Sequence, residues 1–217
     1  MLERILPTDV QLVEAFNDEK LVKLFAEEEA AVAMGVEKRR LEFSTVRRCA
    51  REALSKLGIP PTPILPGPQG EPQWPAGVVG SMTHCQCFRA AAVGLNQLIA
   101  SIGIDAEPNE PLPVGVSATV MSVTERTKLE LLPQQNVAWD RVLFSAKESI
   151  YKAWFPMTHS WLGFEDVAVA LHPDGRFASD LLVATPPNLH LPSDLFDGRW
   201  IVHDGLIGTS VVLAASS

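Results

Sequence analysis

The sequence contains neither the Gly-x-x-x-x-Gly-Lys-Ser/Thr loop nor the Gly-x-Gly-x-x-Gly turn, the two glycine-rich patterns that bind nucleotide phosphates. It also lacks an apolar run of the length that a membrane-spanning helix needs, so no membrane partner is expected. The formal net charge of −8 argues against nucleic-acid binding, because such surfaces are basic. Any anion-binding site must therefore be local.

Cysteine is scarce, and Cys49, Cys85 and Cys87 cannot all pair within one molecule. The segment Cys85-Gln-Cys87 is too closely spaced for a zinc knuckle and has no second pair to complete one. Reduced, packed thiols in a cytoplasmic protein are the favoured interpretation, over a metal or redox role. The first seven residues also lack the basic start and apolar run of a signal peptide.

What the sequence does contain is centred on Ser101-Ile-Gly-Ile-Asp-Ala-Glu107, an apolar run that ends in two acids. Side chains two residues apart in a strand share a face, so Asp105 and Glu107 project together while Ala106 points away. Two carboxylates on one face repel each other unless a cation lies between them, and Mg²⁺ with a phosphate substrate is the usual solution. The alternative is a strand end whose acids are solvated.

Apolar spacing predicts a helix over residues 9–34, on which Glu27-Glu-Glu29 forms a solvated face. A second helix is predicted over residues 36–57, ended by Gly58 and the prolines that follow. The second helix carries the best candidate anion-binding surface of this acidic chain, and salt bridges to Glu37, Glu42 and Glu52 are the alternative. Its bases are Lys38, Arg39, Arg40, Arg47, Arg48 and Arg51, of which Arg40, Arg47 and Arg51 share a face.

Two more helices are predicted in the second half of the chain. Ser122-Val-Thr-Glu125 has the form of a capping box that opens a short helix. A longer helix is predicted from near Ser145 through Trp154. Its Glu148 has three interpretations: a capping box with Ser145, a helix ion pair with Lys152, or a site that the two residues share on one helix face.

The remaining segments are predicted as loops and strands. Residues 59–77 form a loop rich in Pro and Gly, and 77–84 a short strand that ends at polar residues, where His84 is either structural or functional. Residues 90–95 and 98–104 flank Asn96-Gln97 and are predicted to pair as an antiparallel hairpin. Two further hairpins turn at Pro173-Asp-Gly175 and at Asp204-Gly205. Together these elements predict an α+β protein of two similar halves.

Three segments resemble the ordered motifs of the 4′-phosphopantetheinyl transferases, most closely the larger surfactin-type and enterobactin-type class. They are residues 79–84 (VGSMTH), 102–107 (IGIDAE) and 144–152 (FSAKESIYK). The basic segment 38–47 and Gly70-Glu-Pro72 are similar too, so the resemblance covers residues 38–163. It implies Mg²⁺-dependent transfer of 4′-phosphopantetheine from coenzyme A to a serine of an apo acyl or peptidyl carrier protein, as in polyketide, nonribosomal peptide or fatty acid biosynthesis, with release of 3′,5′-ADP.

The resemblance also implies a monomer of two pseudo-symmetric α+β halves, residues 1–107 and 108–217, with the active site in the cleft between them. The implied metal ligands, for Mg²⁺ or Mn²⁺, are Asp105, Glu107, Glu148 and the Ala106 carbonyl. Glu148 is then the candidate base for the serine, and Lys152 contacts the pyrophosphate. The implied coenzyme A-binding residues are Arg39, Arg47, Pro66, Gly67, Pro68, Gln69, Thr83, His84, Asp105, Glu148 and Lys152.

One departure from the family concerns the loop before Gly70-Glu-Pro72, where members often carry a lysine. This chain has no Lys or Arg from 57 to 88, and the backbone amides of Gly67, Gln69 and Gly70 are the candidate substitutes. Two other functions use the same residues: a Mg²⁺-dependent nucleotide pyrophosphatase, and a non-catalytic module that binds coenzyme A or a carrier. A complete trio of acids argues against the binding module.

Overall fold

A computed structural model describes residues 1–18, 22–133, 136–184 and 195–215. The helices are α1 (Ala26–Val32), α2 (Glu37–Lys56), α3 (Val116–Val120), α4 (Val123–Glu130) and α5 (Trp139–Thr158). The strands are β1 (Gln11–Ala15), β2 (Val78–Cys85), β3 (Phe88–Leu95), β4 (Ile99–Pro108), β5 (Val167–Leu171), β6 (Arg176–Leu181), β7 (Gly198–His203) and β8 (Leu206–Ala214). Short 3-10 turns lie at Leu2–Arg4 and Phe164–Asp166. The predicted α+β class is confirmed.

The strands form two antiparallel sheets, each covered by one long helix. The three-stranded sheet has the order β1-β3-β2, and the buried face of α2 packs on it through Cys49, Ala50 and Leu54. The five-stranded sheet has the order β4-β8-β7-β6-β5, and α5 buries Leu143, Ile150 and other apolar residues against it. Because α2 packs on one sheet and α5 on the other, the polar side chains of the two helices are held by different sheets.

A close approach of α5 to β4 brings the two candidate chemical segments together. The approach depends on Gly103, because a Cβ built there would lie only 1.8 Å from the carbonyl oxygen of Ser149. With glycine in this position, Glu148 and Lys152 on α5 come within reach of the end of β4.

Side chains of β2 join the two sheets. The Ser81 hydroxyl accepts a hydrogen bond from the Ile104 N–H at 3.1 Å, and the Thr83 hydroxyl accepts one from the Ala106 N–H, also at 3.1 Å. These bonds supply partners for two buried main-chain donors of β4. They also place the end of β2 directly beside Asp105.

The helix predicted over residues 9–34 is wrong for most of its length. Residues Gln11–Ala15 form β1, which pairs with β3, and only Ala26–Val32 are helical, while 19–21 lie outside the described residues. An open edge of β3 outweighs the local helical spacing, since pairing satisfies main-chain groups on both strands. The prediction that Glu27-Glu-Glu29 forms a solvated face is also wrong in part, because Glu28 is fully buried and accepts two hydrogen bonds from Arg51.

The hairpin predicted around Asn96-Gln97 is wrong as well. The strands β3 and β4 belong to different sheets, where β3 lies between β1 and β2 while β4 pairs with β8. The hairpin that forms is β2–β3, turning at Gln86-Cys87. All of these strands are apolar, so the sequence pattern does not show which strand pairs with which. The pairing depends on which helix covers each sheet.

The helix predicted from Ser145 begins earlier and ends later. Because α5 spans Trp139–Thr158, Ser145 lies in mid-helix and the capping box of Ser145 with Glu148 is wrong. Pro156 lies inside the last turn, where its missing N–H leaves one helical hydrogen bond unmade.

Other local predictions are confirmed. Helix α2, strand β2 and the hairpins β5–β6 and β7–β8 lie where the sequence predicts them. The capping box at Ser122 is present, with hydrogen bonds to and from Glu125 of 3.2 and 2.8 Å. All three cysteines lie in the described ranges and none forms a disulfide; Cys49 is buried, whereas Cys87 is exposed, so the prediction of packed thiols is wrong for Cys87. No helix among the described residues has the length and apolar character needed to cross a membrane. The division at residue 107 stays a prediction.

Candidate active site

A cleft of about 630 Å³ lies between α2, β2 and the C-terminal half of α5. It brings together residues that the sequence placed far apart. Those of the predicted site that line it are Arg39, Arg47, Gln69, His84, Glu148 and Lys152. The cleft therefore has a basic side on α2 and a mixed acidic and basic side on α5.

Asp105 lies beside the cleft and is held from three directions. The Thr83 hydroxyl donates to its Oδ1 at 3.2 Å, and the Ser145 hydroxyl donates to its Oδ2 at 2.8 Å. The Lys152 ammonium donates to Oδ1 at 2.7 Å and also to the Ile104 carbonyl oxygen at 3.2 Å. Because Asp105 is only 5% exposed, these charge-assisted bonds fix the position of its carboxylate. Lys152 therefore pairs with Asp105, and not with Glu148 as one of the three interpretations of the sequence had it.

Glu107 projects from β4 to the same side as Asp105, where Arg141 of α5 donates to its Oε2 at 2.9 Å. The residue between them, Ala106, is buried in an apolar cluster on the other face. Alternation along the strand thus places the acids as the sequence predicts. Burial raises the pKa of Glu107, and the charge of Asp105 raises it further, while Arg141 opposes the change.

Glu148 reaches the same acidic region from α5. Burial raises the pKa of its carboxyl, and the charge of Asp105 raises it further, while Lys152 lowers it. Asp105 therefore acts electrostatically on both glutamates. Asp105 and Glu107 on β4 and Glu148 on α5 thus form one acidic cluster, in which the charge of Asp105 raises the pKa of both glutamates.

The donor chemistry of this region suits a divalent cation. All three acids offer oxygen, the ligand atom that Mg²⁺ prefers, and their mutual repulsion would be relieved by a cation. Within the parts of the chain that the structure describes, no three acidic, histidine or cysteine side chains lie close enough together to hold a metal ion as they stand. Lys152 and Arg141 neutralise two of the acids instead.

The basic residues of α2 divide between the cleft and the fold. Arg47 lines the cleft, its Nε donates to the Ile64 carbonyl oxygen at 3.2 Å, and its guanidinium lies 3.7 Å from the centre of the Phe43 ring. Burial lowers the pKa of Arg47 to about 10, against the opposing charge of Glu28. Arg51 pairs with Glu28 at 2.8 Å and has a structural role.

The predicted face of Arg40, Arg47 and Arg51 therefore contributes only Arg47 to the lining of the cleft, where Arg39 joins it. The alternative of salt bridges along α2 is also present, since Arg48 pairs with Glu52 at 2.7 Å. Helical spacing could not separate the two roles, because the acid that captures Arg51 comes from α1.

The loop before Gly70-Glu-Pro72 lines the cleft through Gln69, whereas Pro66, Gly67 and Pro68 are not among the lining residues. The main-chain amides predicted as phosphate ligands donate their hydrogen bonds to other residues of the same loop. The Gly67 N–H donates to the Glu71 carbonyl oxygen at 2.7 Å, and the Gly70 N–H donates to the Gly67 carbonyl oxygen at 2.9 Å. The Gln69 N–H donates to the Glu71 carboxylate at 2.9 Å. A phosphate would therefore have to compete with bonds that hold the loop together.

At the end of β2, Thr83 and His84 face different surroundings. Thr83 is buried against Asp105, and His84 lines the cleft, with its Nε2 3.9 Å from a carboxylate oxygen of Glu42. Burial lowers the pKa of His84, and Glu42 opposes this change. His84 thus has a position from which it can contact a ligand.

The sequence reasoning missed several residues of the cleft. On α5, Tyr151 and Phe155 line it together with Glu148, and His159, just past the end of the helix, lines it too. The spacing of three and four residues places Glu148, Tyr151 and Phe155 along one helix face, so the position of Glu148 was a signal that could have found the two aromatic residues. Trp74, Glu42 and Glu71 also line the cleft, but they come from loop and helix positions without such a signal.

The fold and this cleft define an α+β protein that brings a basic helix and a carboxylate cluster to one cleft. A family model described as 4′-phosphopantetheinyl transferase N-terminal domain matches residues 27–94, and one for the 4′-phosphopantetheinyl transferase superfamily matches residues 101–202. The chain is 50% identical to the 4′-phosphopantetheinyl transferase Svp of Streptomyces mobaraensis, over 99% of this chain and 90% of that protein. It is 45% identical to PptT of Mycobacterium tuberculosis, over 94% and 92%.

A more distant relative, the enterobactin synthase component D of Salmonella typhimurium, is 32% identical over 54% of this chain and 49% of its own length. The chain belongs to the 4′-phosphopantetheinyl transferase superfamily. It is an enzyme that transfers 4′-phosphopantetheine from coenzyme A to a serine of a carrier protein and releases 3′,5′-ADP. The family and function predicted from the three motifs are confirmed.

Removal of the cleft arginines is expected to weaken coenzyme A binding more than removal of Gln69. Arg39→Ala and Arg47→Ala should each raise the apparent KM for coenzyme A, with a loss of about 1.5–3 kcal/mol for a hydrogen bond to a charged group. Gln69→Ala should have a small effect, because the side chain carries no charge. Steady-state kinetics with varied coenzyme A measure this difference. Arg40→Ala, an exposed arginine of the same helix, is the matched control. If Arg39→Ala and Arg47→Ala both bind coenzyme A normally, α2 has only a structural role.

Proposed function

We propose that the transfer depends on Mg²⁺ or Mn²⁺ held by Asp105, Glu107 and Glu148, with the Ala106 carbonyl as a further candidate ligand. The observation that carries this proposal is the position of Asp105, fixed by three hydrogen bonds beside Glu107 and electrostatically coupled to Glu148. When bound, the ion would polarise the phosphoryl oxygens and stabilise the charge of the leaving nucleotide.

Glu148 is the general base in this proposal. The carrier serine loses its proton to the Glu148 carboxylate, its Oγ forms a bond to the β-phosphorus of coenzyme A, and the bond to the 3′,5′-ADP oxygen breaks. A serine hydroxyl needs such a base, because it is a weak nucleophile at neutral pH. The raised pKa of Glu148 makes its carboxylate a stronger proton acceptor than an exposed glutamate.

Lys152 supplies positive charge to the reacting phosphates. Its ammonium bonds Asp105, yet the side chain lines the cleft and remains 27% exposed, so it can also meet a ligand there. Arg39, Arg47 and His84 line the cleft and are positioned to bind the nucleotide part of coenzyme A. Pro66, Gly67, Pro68 and Gln69 remain candidates for contacts from the loop, and Thr83 acts through Asp105.

The partners that we propose are apo acyl or peptidyl carrier proteins of fatty acid, polyketide or nonribosomal peptide synthesis. We also propose that the enzyme acts as a monomer in the cytoplasm. The thiols of Cys85 and Cys87, two residues apart at one hairpin, are consistent with a reducing compartment.

Intact-protein mass spectrometry tests this function. The enzyme is incubated with coenzyme A and an apo acyl carrier protein, with Mg²⁺ or with excess EDTA. We expect the carrier to gain the mass of one phosphopantetheine only with the cation, and a carrier whose target serine is replaced by alanine to gain none. Release of 3′,5′-ADP without a carrier would instead indicate a pyrophosphatase, and binding without any mass gain would indicate a non-catalytic module.

A further inference from the structure

Arg141, in the first turn of α5, makes three hydrogen bonds, one to the end of β4 and two to the segment that follows it. One guanidinium nitrogen donates to Oε2 of Glu107 at 2.9 Å. The other two donate to the main-chain oxygens of Glu110 and Pro111, each at 3.1 Å. The side chain of Arg141 therefore fixes Glu107 and the chain beyond it as one unit.

Neighbouring bonds attach the same segment to the start of α5. The Asp140 carboxylate accepts the Leu112 N–H at 2.9 Å, and the side-chain oxygen of Asn109 accepts the Ala138 N–H at 2.9 Å. Because the segment is anchored beyond Glu107 at two further points, the position of its backbone does not depend on Arg141 alone. The distinct contribution of Arg141 is to the carboxylate.

The two acids of β4 differ in how many of their oxygens α5 binds, since Lys152 also binds Oδ1 of Asp105 at 2.7 Å. Oε2 of Glu107 is bound by Arg141, and Oδ2 of Asp105 is bound by Ser145 at 2.8 Å. No residue within the described ranges donates a hydrogen bond to the other oxygen of Glu107, Oε1. Glu107 is thus arranged to offer a cation a single oxygen.

The number of oxygens offered distinguishes two classes of divalent cation. Mg²⁺ takes six ligands in a strict octahedron and usually one oxygen from each carboxylate, whereas Ca²⁺ takes six to eight and commonly binds both oxygens of a glutamate. A glutamate with one oxygen blocked therefore disfavours the larger ion. The bond from Arg141 occupies one lone-pair site of Oε2 and orients the carboxylate, so it favours coordination through Oε1 alone over bidentate binding.

We propose that Arg141 is a positioning residue that sets the selectivity of this site for Mg²⁺ over Ca²⁺ by holding Oε2 of Glu107. The inference rests on the divalent-cation site proposed above. It assigns to Arg141 a role in the choice of metal, distinct from any contact with coenzyme A or the carrier.

Direct metal binding tests this role without reference to activity. The free Mn²⁺ signal in electron paramagnetic resonance is followed while the purified enzyme binds Mn²⁺, and Mg²⁺ or Ca²⁺ is then added as competitor. Wild type should release Mn²⁺ to Mg²⁺ at lower concentration than to Ca²⁺. In Arg141→Met the affinity for Mg²⁺ should fall roughly 10–100-fold, the usual effect of losing a partner of a metal ligand. Its affinity for Ca²⁺ should fall less or rise.

Asp140→Ala is the matched control, because it removes the acceptor of the Leu112 and Arg141 main-chain N–H groups but not the bond from the Arg141 guanidinium to Glu107. It should keep the wild-type ratio of Mg²⁺ to Ca²⁺ affinity. Arg141→Lys keeps the charge but cannot donate to three separated acceptors, so its ratio should fall in the same direction as that of Arg141→Met. This second variant serves if Arg141→Met does not melt cooperatively.

Different results overturn different statements. An enzyme that binds no Mn²⁺, with or without coenzyme A, overturns the divalent site itself. Wild type that binds Mn²⁺ but does not distinguish Mg²⁺ from Ca²⁺ overturns only the selectivity. An unchanged affinity ratio in the folded Arg141 variants, or an equal loss of selectivity in Asp140→Ala, shows that Arg141 does not set it.

Discussion

Replacement of Glu148 by glutamine is expected to slow phosphopantetheine transfer by roughly 10²–10⁴-fold, the range typical of a lost general base. Glutamine keeps the size of the side chain but cannot accept the serine proton, and it removes one negative charge from the acidic cluster. Since Glu148 lies in the middle of α5, the substitution does not remove a helix cap. Single-turnover transfer at saturating coenzyme A measures the chemical step.

Thermal melting and a surface variant separate this effect from damage to the fold. Glu148→Gln should melt near wild type, and Glu130→Gln, which removes an exposed acid from α4, should transfer at the wild-type rate. If Glu148→Gln transfers within threefold of wild type, Glu148 is not the base.

The pH dependence gives a second measurement of the same role. Because only the deprotonated carboxylate accepts a proton, the wild-type rate should fall on the acid side as Glu148 becomes protonated; burial raises the pKa of this carboxyl, and a bound cation would oppose that change. The residual rate of Glu148→Gln should lack this acid limb.

Asp105→Asn is expected to reduce transfer by at least about 10²-fold, and excess EDTA should do the same to wild type. Several kcal/mol of charge stabilisation corresponds to rate changes of this size. Asparagine has nearly the same shape, but its NH₂ group must replace one oxygen that now accepts hydrogen bonds from Thr83 and Lys152 or from Ser145. The variant loses both the charge and one set of these bonds.

Mass gain of the apo carrier measures the loss, and cooperative melting shows that the variant is folded. A lower melting temperature is expected, because the buried carboxylate has a charged partner in Lys152. Asp174→Asn removes an exposed acid of the β5–β6 turn and should transfer normally. A folded Asp105→Asn enzyme with full activity, or full wild-type activity in EDTA, contradicts the metal assignment.

Local rules were sufficient wherever a feature depends on residues close in sequence. The two-residue period of β4 placed Asp105 and Glu107 on one face, and the Ser122 capping box formed with its predicted partner Glu125. The two C-terminal hairpins turn where Gly175 and Gly205 supply a positive φ, of 88° and 75°. The three motifs likewise identified the family without reference to the fold.

Partners distant in sequence could not be read in the same way. Glu28 lies in a run of three acids that resembles a solvated helix face, yet it is buried because Arg51 and the Ile64 N–H bind its carboxylate. Arg51 and Arg47 lie one helical turn apart on α2, yet one stabilises the fold and the other lines the cleft. The difference depends on which acids other elements bring close.

The sequence by itself determined the family, the transfer reaction and the local turns of this protein, because motif residues, strand alternation and turns depend on neighbours within a few positions. Only the tertiary structure decided that β3 and β4 enter different sheets, that Lys152 pairs with Asp105, and that Arg141 holds Glu107. The physical reason is the same in each case. A strand edge or a charge can be satisfied by any of several partners, and the packing of α2 and α5 on separate sheets selects the one that comes within bonding distance.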